Sequence, residues 1–458
     1  MTIALFPHQI KGAQFLTAHT GTRGLFFGMG TGKTITALEG VRTLMERTGD
    51  LPRVLVIAPP IALPMWLNEA QKYLSMWDQL SLILKTGKMP IPKGCKFMVV
   101  SYAIAAARSV ELADWLEGVG VLICDESHAL KTPTTQRTQA ILGDAGVAAL
   151  GSLYSWMLTG TPITRWNDDM YTFIYRADLA GMQEELGGTS LEKFQLKYTI
   201  RQKKVFPGAR FPKLMVIGNR QTDDLADWVY GNELAMRVDL QEVFDNMPPL
   251  TKSKYEIPIN ADTELKEMLK ELEQNSIADI QKRLQSKEPA LATLRRKLGM
   301  AKVKAAAAEI SERIESGQNV LIGAWHTDVI EALFGTLSDR GYIGSIIDGS
   351  RTSASKVETE ELWNEGGLQF VVAQIAAAGV SLNLQHGGTQ IIIVEEDWSP
   401  AIMDQFYARL WRYGQKKHVH VDTLVSNTKL DRALGDISTA KARGHEKFNA
   451  VGRQQQET

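Results

Sequence analysis

Three groups of residues in this chain have the types and spacing that phosphoryl transfer requires. The first is Gly28-Met29-Gly30-Thr31-Gly32-Lys33-Thr34, three spaced glycines ahead of a lysine and a hydroxyl. The backbone amides of such a loop can wrap a phosphate. Lys33 can reach the β- and γ-phosphates, and the Thr34 hydroxyl can enter the shell of a Mg²⁺ ion. The strict pattern GxxxxGK[ST] wants glycine where Phe27 stands, but the GxGKT ending is intact. The second group is Asp125-Glu126, adjacent carboxylates closing the apolar run Val121-Leu122-Ile123-Cys124. Asp125 is placed to hold Mg²⁺ through water, and Glu126 to orient and polarise an attacking water. The third is Arg409 with Arg412, whose spacing of three predicts a shared helix face. Two guanidiniums so placed could neutralise charge on a γ-phosphate. ATP with Mg²⁺ is therefore the expected ligand.

These groups need elements to carry them. An apolar run starting at Leu25 predicts a buried strand before the glycines, and Ile35, Leu38, Val41, Leu44 and Met45 predict a helix after them. Short apolar runs at 53–58, 97–100, 119–124 and 153–158 alternate with helical patterns at 63–74 and 110–117. That alternation predicts an α/β domain with a doubly wound parallel sheet, covered by helices on both faces. From about 166 to 246 the pattern is mostly helical, and Met247-Pro248-Pro249 marks a break. Residues 262–316, rich in Glu, Lys, Leu and Ala, predict two long helices forming a solvated layer. Strand patterns return at 343–347, 370–373, 390–394 and 320–324, with helices at 327–338, 355–363 and 401–411. The expected domains are 1–246, with a helical extension over 166–246, and 247–441. Residues 442–458 read as a disordered tail.

Composition sets the outer bounds. The chain has 458 residues, enough for two or three cores, with hydrophobic and charged fractions of 44% and 22%. No apolar run is long enough to span a membrane, and the first residues do not read as a signal peptide. Cys95 and Cys124 are the only cysteines and have no metal-like spacing, so a reducing, cytoplasmic setting is expected. A net charge of −1 gives no global attraction to nucleic acid, so any such binding must come from a local groove.

Asp125-Glu126-Ser127-His128 resembles the DExH box of superfamily-two helicases, and further motifs of that family follow in order. Leu158-Thr159-Gly160-Thr161-Pro162 looks like motif III, which couples hydrolysis to domain movement. Leu5-Phe6-Pro7-His8-Gln9 looks like the adenine-reading segment, which implies that Gln9 recognises the base. Ala58-Pro59-Pro60 with Trp66 and Glu69 resembles motif Ia, and Val100-Ser101-Tyr102 the next DNA-facing motif. Gln405, Arg409, Arg412, Gly414 and Gln415 reproduce QxxxRxxRxGQ, similar to motif VI of the Swi/Snf-type DNA-dependent ATPases. Asp397-Trp398-Ser399-Pro400 resembles that family's Asp-Trp-Asn-Pro, and the stretch 377–384 its AGGLGLNL. The chain departs from the family where Phe27-Gly28 replaces the usual acids before the phosphate loop. It departs again where Thr164-Arg165 replaces Gln-Asn after motif III.

The resemblance implies two RecA-like domains, finger and sensor roles for Arg409 and Arg412, and coupling roles for His128, Thr159, Gly160, Thr161 and Gln405. It also implies a monomeric motor that moves on duplex or branched DNA without sequence preference. Ser101, Asp348, Gly349, Ser350, Ser381 and Trp398 are the expected DNA contacts, their small side chains and backbone amides suiting phosphate. The basic cluster Arg412, Lys416, Lys417, His418 and His420 reads equally as phosphate-binding or solvated. Other readings are a strand-separating or branch-remodelling helicase, a motor subunit serving a partner such as a nuclease, and a nucleotide-gated clamp with little turnover.

Overall fold

A computed structural model of the protein describes residues 4–75, 81–204, 211–243, 247–285, 288–378, 382–397 and 399–454. The chain divides into two compact units, Met1–Val243 with Arg443–Thr458, and Phe244–Ala442.

The first unit is built on strands β1 (Gly21–Leu25), β2 (Val54–Ala58), β3 (Ser81–Leu84), β4 (Phe97–Ser101), β5 (Val121–Asp125), β6 (Tyr154–Leu158) and β9 (Ala235–Met236). They form one sheet in the order β3-β4-β2-β5-β6-β1-β9, with every pairing parallel. Parallel strands covered on both faces must be apolar throughout, and Val54–Ala58 is buried at every position. The period of two divides the core. Leu55, Ile57, Met98, Val100, Leu122 and Cys124 enter one cluster. Val54, Val56, Phe97, Val99, Val121 and Ile123 enter the other. Register then does the positioning, because Leu25 and Asp125 both pair with Leu158. The residues following β1, β6 and β5 therefore leave the sheet at one level, along its carboxyl edge. In open α/β sheets that edge is where ligands bind.

The segment 166–246, expected to be mostly helical, contains an antiparallel hairpin as well as helices. Its strands are β7 (Thr199–Lys204) and β8 (Lys213–Asn219). Periodicity did not reveal it, because β7 is polar and the short apolar run 214–217 of β8 stands alone and half-exposed.

The second unit holds β10 (Leu250–Glu256), β11 (Val320–Ala324), β12 (Gly344–Ile347), β13 (Phe370–Gln374), β14 (Gln390–Ile393) and β15 (Val419–Val425). Their order is β10-β15-β14-β11-β13-β12, again all parallel. Here too alternate residues face opposite clusters, with Val320 and Ile322 on one side and Leu321 on the other. β10 is mostly exposed and polar, which is why it left no apolar signal.

The helical layer consists of three helices rather than the expected two: Thr263–Glu273, Ile277–Gln285 and Pro289–Glu315. Leu265, Leu272, Ile280, Leu291 and Leu298 join Leu430, Ala433 and Leu434 in one cluster. Beside it Lys302 Nζ, almost fully buried, lies 2.7 Å from Asp431 Oδ2 and donates to Leu424 O at 3.1 Å.

The tail expected to be disordered beyond Lys441 is instead helical, being part of helix Lys429–Gln454. Phe448 is fully buried with its ring 5.3 Å from that of Tyr230, and Lys447 pairs with Asp223. Phe448, with Val451 packed beside it on the same core, anchors the segment, a signal too sparse for periodicity to register.

Candidate active site

Helix Lys33–Thr48 starts directly from a left-handed Gly32, φ +87°, with Gly30 also at positive φ. The positive φ calls for glycine there, and a side chain on Gly32 would also displace Gln9 Nε2, 2.3 Å away. The loop closes on itself as Thr31 Oγ1 donates to Gly28 O at 2.8 Å. Lys33 Nζ folds back onto Phe27 O (3.1 Å) and Gly28 O (3.2 Å), with Met29 Sδ at 4.0 Å. Thr34 stands half-buried in the first helical turn, where unpaired amides favour negative charge. From helix Pro7–Ala18, Gln9 Nε2 donates to Thr31 O at 3.3 Å while its Oε1 accepts from Phe6 N. His8 reaches the same carbonyl at 2.8 Å, and burial holds its imidazole below the usual pKa.

At the end of β5, Asp125 Oδ2 accepts from Trp66 Nε1 at 2.8 Å and Oδ1 accepts from Glu126 N at 3.0 Å. Burial, and then the neighbouring Glu126 charge, push the Asp125 carboxyl up to about 6. Trp66 and the Lys33 ammonium pull the other way. Glu126 sits at φ +51°, an uncommon conformation for a side chain of this size. Its Oε2 is 3.3 Å from His128 Nδ1. That same nitrogen lies 3.1 Å from Thr159 Oγ1 and 3.5 Å from Thr161 Oγ1. His128 Nδ1 thus stands between the Glu126 carboxylate and the segment after β6. Thr161 N also donates to Thr159 Oγ1 at 3.1 Å.

Sequence reasoning missed the support beneath the loop. Arg237, 4% exposed, donates from Nη1 to Phe26 O (3.1 Å) and Gly160 O (3.4 Å), and from Nη2 to Asp239 Oδ1. Gly28 N donates to Val238 O at 2.7 Å, and a side chain on Gly28 would meet Asp239 Oδ1 at 2.9 Å. The available signal was an Arg-x-Asp inside the run Met236-Arg237-Val238-Asp239-Leu240.

The second unit corrects one expectation. Arg409 and Arg412 do not lie on a helix, since helix Pro400–Tyr407 ends before them. The Arg409 carbonyl accepts from Leu384 N at 3.0 Å, so it is diverted from continuing the helical ladder. The two guanidiniums still converge, on Leu382 O, at 3.1 Å for Arg409 and 3.5 Å for Arg412. Arg412 also bonds Asn383 Oδ1, and Arg409 Nε donates to Gln405 O at 3.0 Å. Gln415 holds the following turn, donating to Gln385 O and Gly388 O and accepting from Lys416 N and Lys417 N.

Of the expected DNA contacts, Ser101 is buried and its hydroxyl caps helix Tyr102–Ala107. Asp348 accepts from Ser350 N, Ser350 Oγ and Arg351 N. Burial raises its pKa, but these bonds outweigh it and hold the carboxyl below its usual range. Gly349 N donates to Gln374 Oε1 at 3.3 Å. Ser381 and Trp398 lie outside the described residues. His418 and His420 stack at 4.0 Å, and His418 Nε2 is 2.6 Å from Thr251 Oγ1.

The loop of amides, the lysine, the hydroxyl and the single acid Asp125 suit a nucleotide phosphate with a Mg²⁺ ion held mostly by phosphate and water. Among the described residues no cluster of three or more His, Cys, Asp or Glu could hold a metal by itself. None of their helices is long and apolar enough to cross a membrane.

Known proteins resemble this chain in sequence over most of its length. Residues 8–182 match the SNF2-related domain, and residues 301–414 match the helicase conserved C-terminal domain. The chain is 22% identical over 446 residues to the DNA annealing helicase and endonuclease ZRANB3 of Mus musculus, covering 96% of this chain and 40% of that protein. It is 22% identical to the DNA repair and recombination protein RAD54-like of Gallus gallus, covering 95% and 66%. Identity to a SWI/SNF-related regulator of chromatin subfamily A-like protein 1 homolog of Caenorhabditis elegans is 24%, covering 95% and 61%. The chain thus spans two fifths to about two thirds of the length of these relatives. Among solved structures, the Sulfolobus solfataricus SWI2/SNF2 ATPase core in complex with dsDNA aligns over 98% of this chain and 97% of its own, with 17% identity and a TM-score of 0.43.

Proposed function

The chain belongs to the Swi/Snf-type ATPases of helicase superfamily II, and on that premise we propose that it hydrolyses ATP in response to DNA and moves along duplex DNA without sequence preference. The observation that carries the reading is the carboxyl edge of the first sheet. There Asp125 ends β5 level with the end of β1, the Lys33 ammonium acts on its carboxyl, and His128 Nδ1 lies near both Glu126 Oε2 and Thr159 Oγ1.

In this reading Gly28, Met29, Gly30, Thr31 and Gly32 offer amides to the phosphates, and Lys33 exchanges its loop carbonyls for phosphate oxygens. Gln9, anchored on Thr31, reads the base. Thr34 and Asp125 hold Mg²⁺, which when bound neutralises charge on the phosphates. Glu126 orients the attacking water, and its contact with His128 carries the state of the phosphate to Thr159, Gly160 and Thr161. Arg409 and Arg412 stabilise the charge that develops on the transferred phosphoryl group, with Gln405 supporting Arg409. Asp348, Gly349 and Ser350 meet DNA in this reading once Gly349 N and the Ser350 donors exchange Gln374 and Asp348 for phosphate oxygens. The protein acts as a monomeric motor in a reducing, cytoplasmic compartment; the alternative is a motor subunit that works with a partner such as a nuclease.

Steady-state ATP hydrolysis with no nucleic acid, single strands, blunt duplex or forked DNA tests the proposal, with Glu126→Gln as control. Strong stimulation by duplex, abolished in Glu126→Gln, is the expected result. Stimulation confined to single strands or forks would replace duplex movement with unwinding or branch remodelling. A response to none of them would overturn the autonomous motor.

A further inference from the structure

Although the whole chain carries a net charge of −1, residues 193–220 contain eight lysines and arginines and no aspartate or glutamate. This stretch includes both strands of the β7–β8 hairpin. Across the strands Arg201 pairs with Val216 and Lys203 with Leu214, so basic and apolar side chains share one face. Lys203 is exposed, as are Arg220, Leu214 (47%) and Phe211 (74%). Among the described residues Arg201, Lys203 and Arg220 have no carboxylate within ion-pair distance. Lys197, by contrast, is taken by Glu185. A cluster of unneutralised cations is costly through self-repulsion unless a polyanion covers it.

The hairpin is also held firmly at its base. Asn167, fully buried, donates from Nδ2 to Tyr198 O (3.1 Å), Arg220 O (3.0 Å) and Thr222 Oγ1 (3.1 Å), and from its amide to Asn219 Oδ1 (2.8 Å). One side chain therefore clamps both ends of the hairpin. It stands six residues beyond Thr161, in a turn closed by Asp169 Oδ2 accepting from Thr164 N, Thr164 Oγ1 and Arg165 N. A short stretch of chain thus runs from the segment after β6 to the base of the hairpin.

We propose that the β7–β8 hairpin is a second contact to duplex DNA, made to the phosphate backbone by Arg201 and Lys203 and moved with the Thr159–Thr161 segment during the ATP cycle. The inference rests on the reading of duplex DNA as the track. Phosphate contacts carry no sequence information, and a two-stranded ribbon is narrow enough to follow a groove.

The test is the full-length double variant Arg201→Ala/Lys203→Ala, neither residue belonging to the ATP machinery. Lys85→Ala/Lys88→Ala, just beyond β3 at the far edge of the sheet, removes the same charge elsewhere. Duplex binding is followed by fluorescence anisotropy across a salt series, alongside basal and duplex-stimulated hydrolysis. The hairpin variant should bind at least about tenfold more weakly, and the slope of log K against log salt should shrink by about 2. Basal turnover should be unchanged, and the control pair should bind like the wild type. Equal weakening in both pairs, or unchanged affinity and slope in the hairpin variant, overturns the hairpin's role and leaves the motor reading intact. A wild type that neither binds nor responds to duplex overturns both.

Discussion

The phosphate loop of the first unit and the arginine segment of the second are both organised around backbone carbonyls, but in opposite ways. In the loop, Lys33 is held by Phe27 O and Gly28 O, acceptors within six residues of it. Arg409 and Arg412 are held by Leu382 O, 27 and 30 residues away. The loop is a local device, whose geometry follows from glycines at positive φ and the start of a helix. The arginine segment is a tertiary device, whose two side chains converge because they share a distant acceptor. Their spacing on a helix plays no part, since the helix has already ended.

Three experiments can break or sharpen that contrast. The largest effect is expected for Arg409→Ala, whose turnover should fall by at least about 10³-fold while ATP affinity changes little. Arg409→Lys should not restore it, because an ammonium lacks the fork that serves Gln405 O and Leu382 O together. Single-turnover hydrolysis with separate nucleotide titration measures both, and substantial rescue by lysine would show that charge alone suffices.

Next is Asp125→Asn, which should abolish hydrolysis yet stabilise the nucleotide-free protein. The Asp125 carboxyl is raised from 3.8 to about 6, so its ionised form is disfavoured by folding. That cost is present in full above pH 6 and disappears as pH falls toward 3.8. The asparagine variant should therefore melt several degrees higher at pH 7.5, that rise from 3.8 to about 6 being worth about 3 kcal/mol, and most of the gap should close by pH 4. A lower midpoint at pH 7.5 would mean that Trp66 and Lys33 more than offset the burial.

The smallest effect belongs to His128→Ala. It removes the link from Glu126 to Thr159 and Thr161 but no group in contact with phosphate. Basal turnover should stay within about threefold, while stimulation by duplex falls about tenfold. Equal loss of both rates would assign His128 to Glu126 alone.

Much of the core was legible because parallel strands buried on both faces must be apolar along their whole length. Val54–Ala58, Phe97–Ser101 and Val320–Ala324 lie within a residue of where their runs predict them, and helix Thr327–Ser338 matches its pattern end to end. Elements with one exposed face were not. β10 is polar because it is an edge strand, and the β7–β8 hairpin carries its charge outward. The third helix of the layer hid in composition that both sides of its turns share. Phe448 anchors a helix that a polar stretch gave little reason to expect.

Within the site, the sequence by itself determined which reactive residue types stand at the ends of which elements. Glycines, a lysine, a hydroxyl and paired acids at strand ends can be read from order alone, because local backbone geometry and the ends of buried strands dictate where such residues point. Only the tertiary structure decided who supports them. Arg237 braces the phosphate loop from 211 residues away, Trp66 donates to Asp125 across 59, and Asn167 clamps the hairpin across 31 to 55. Those partners are chosen by sheet order and register, which set which distant side chains arrive at one edge, and no local pattern encodes that arrival.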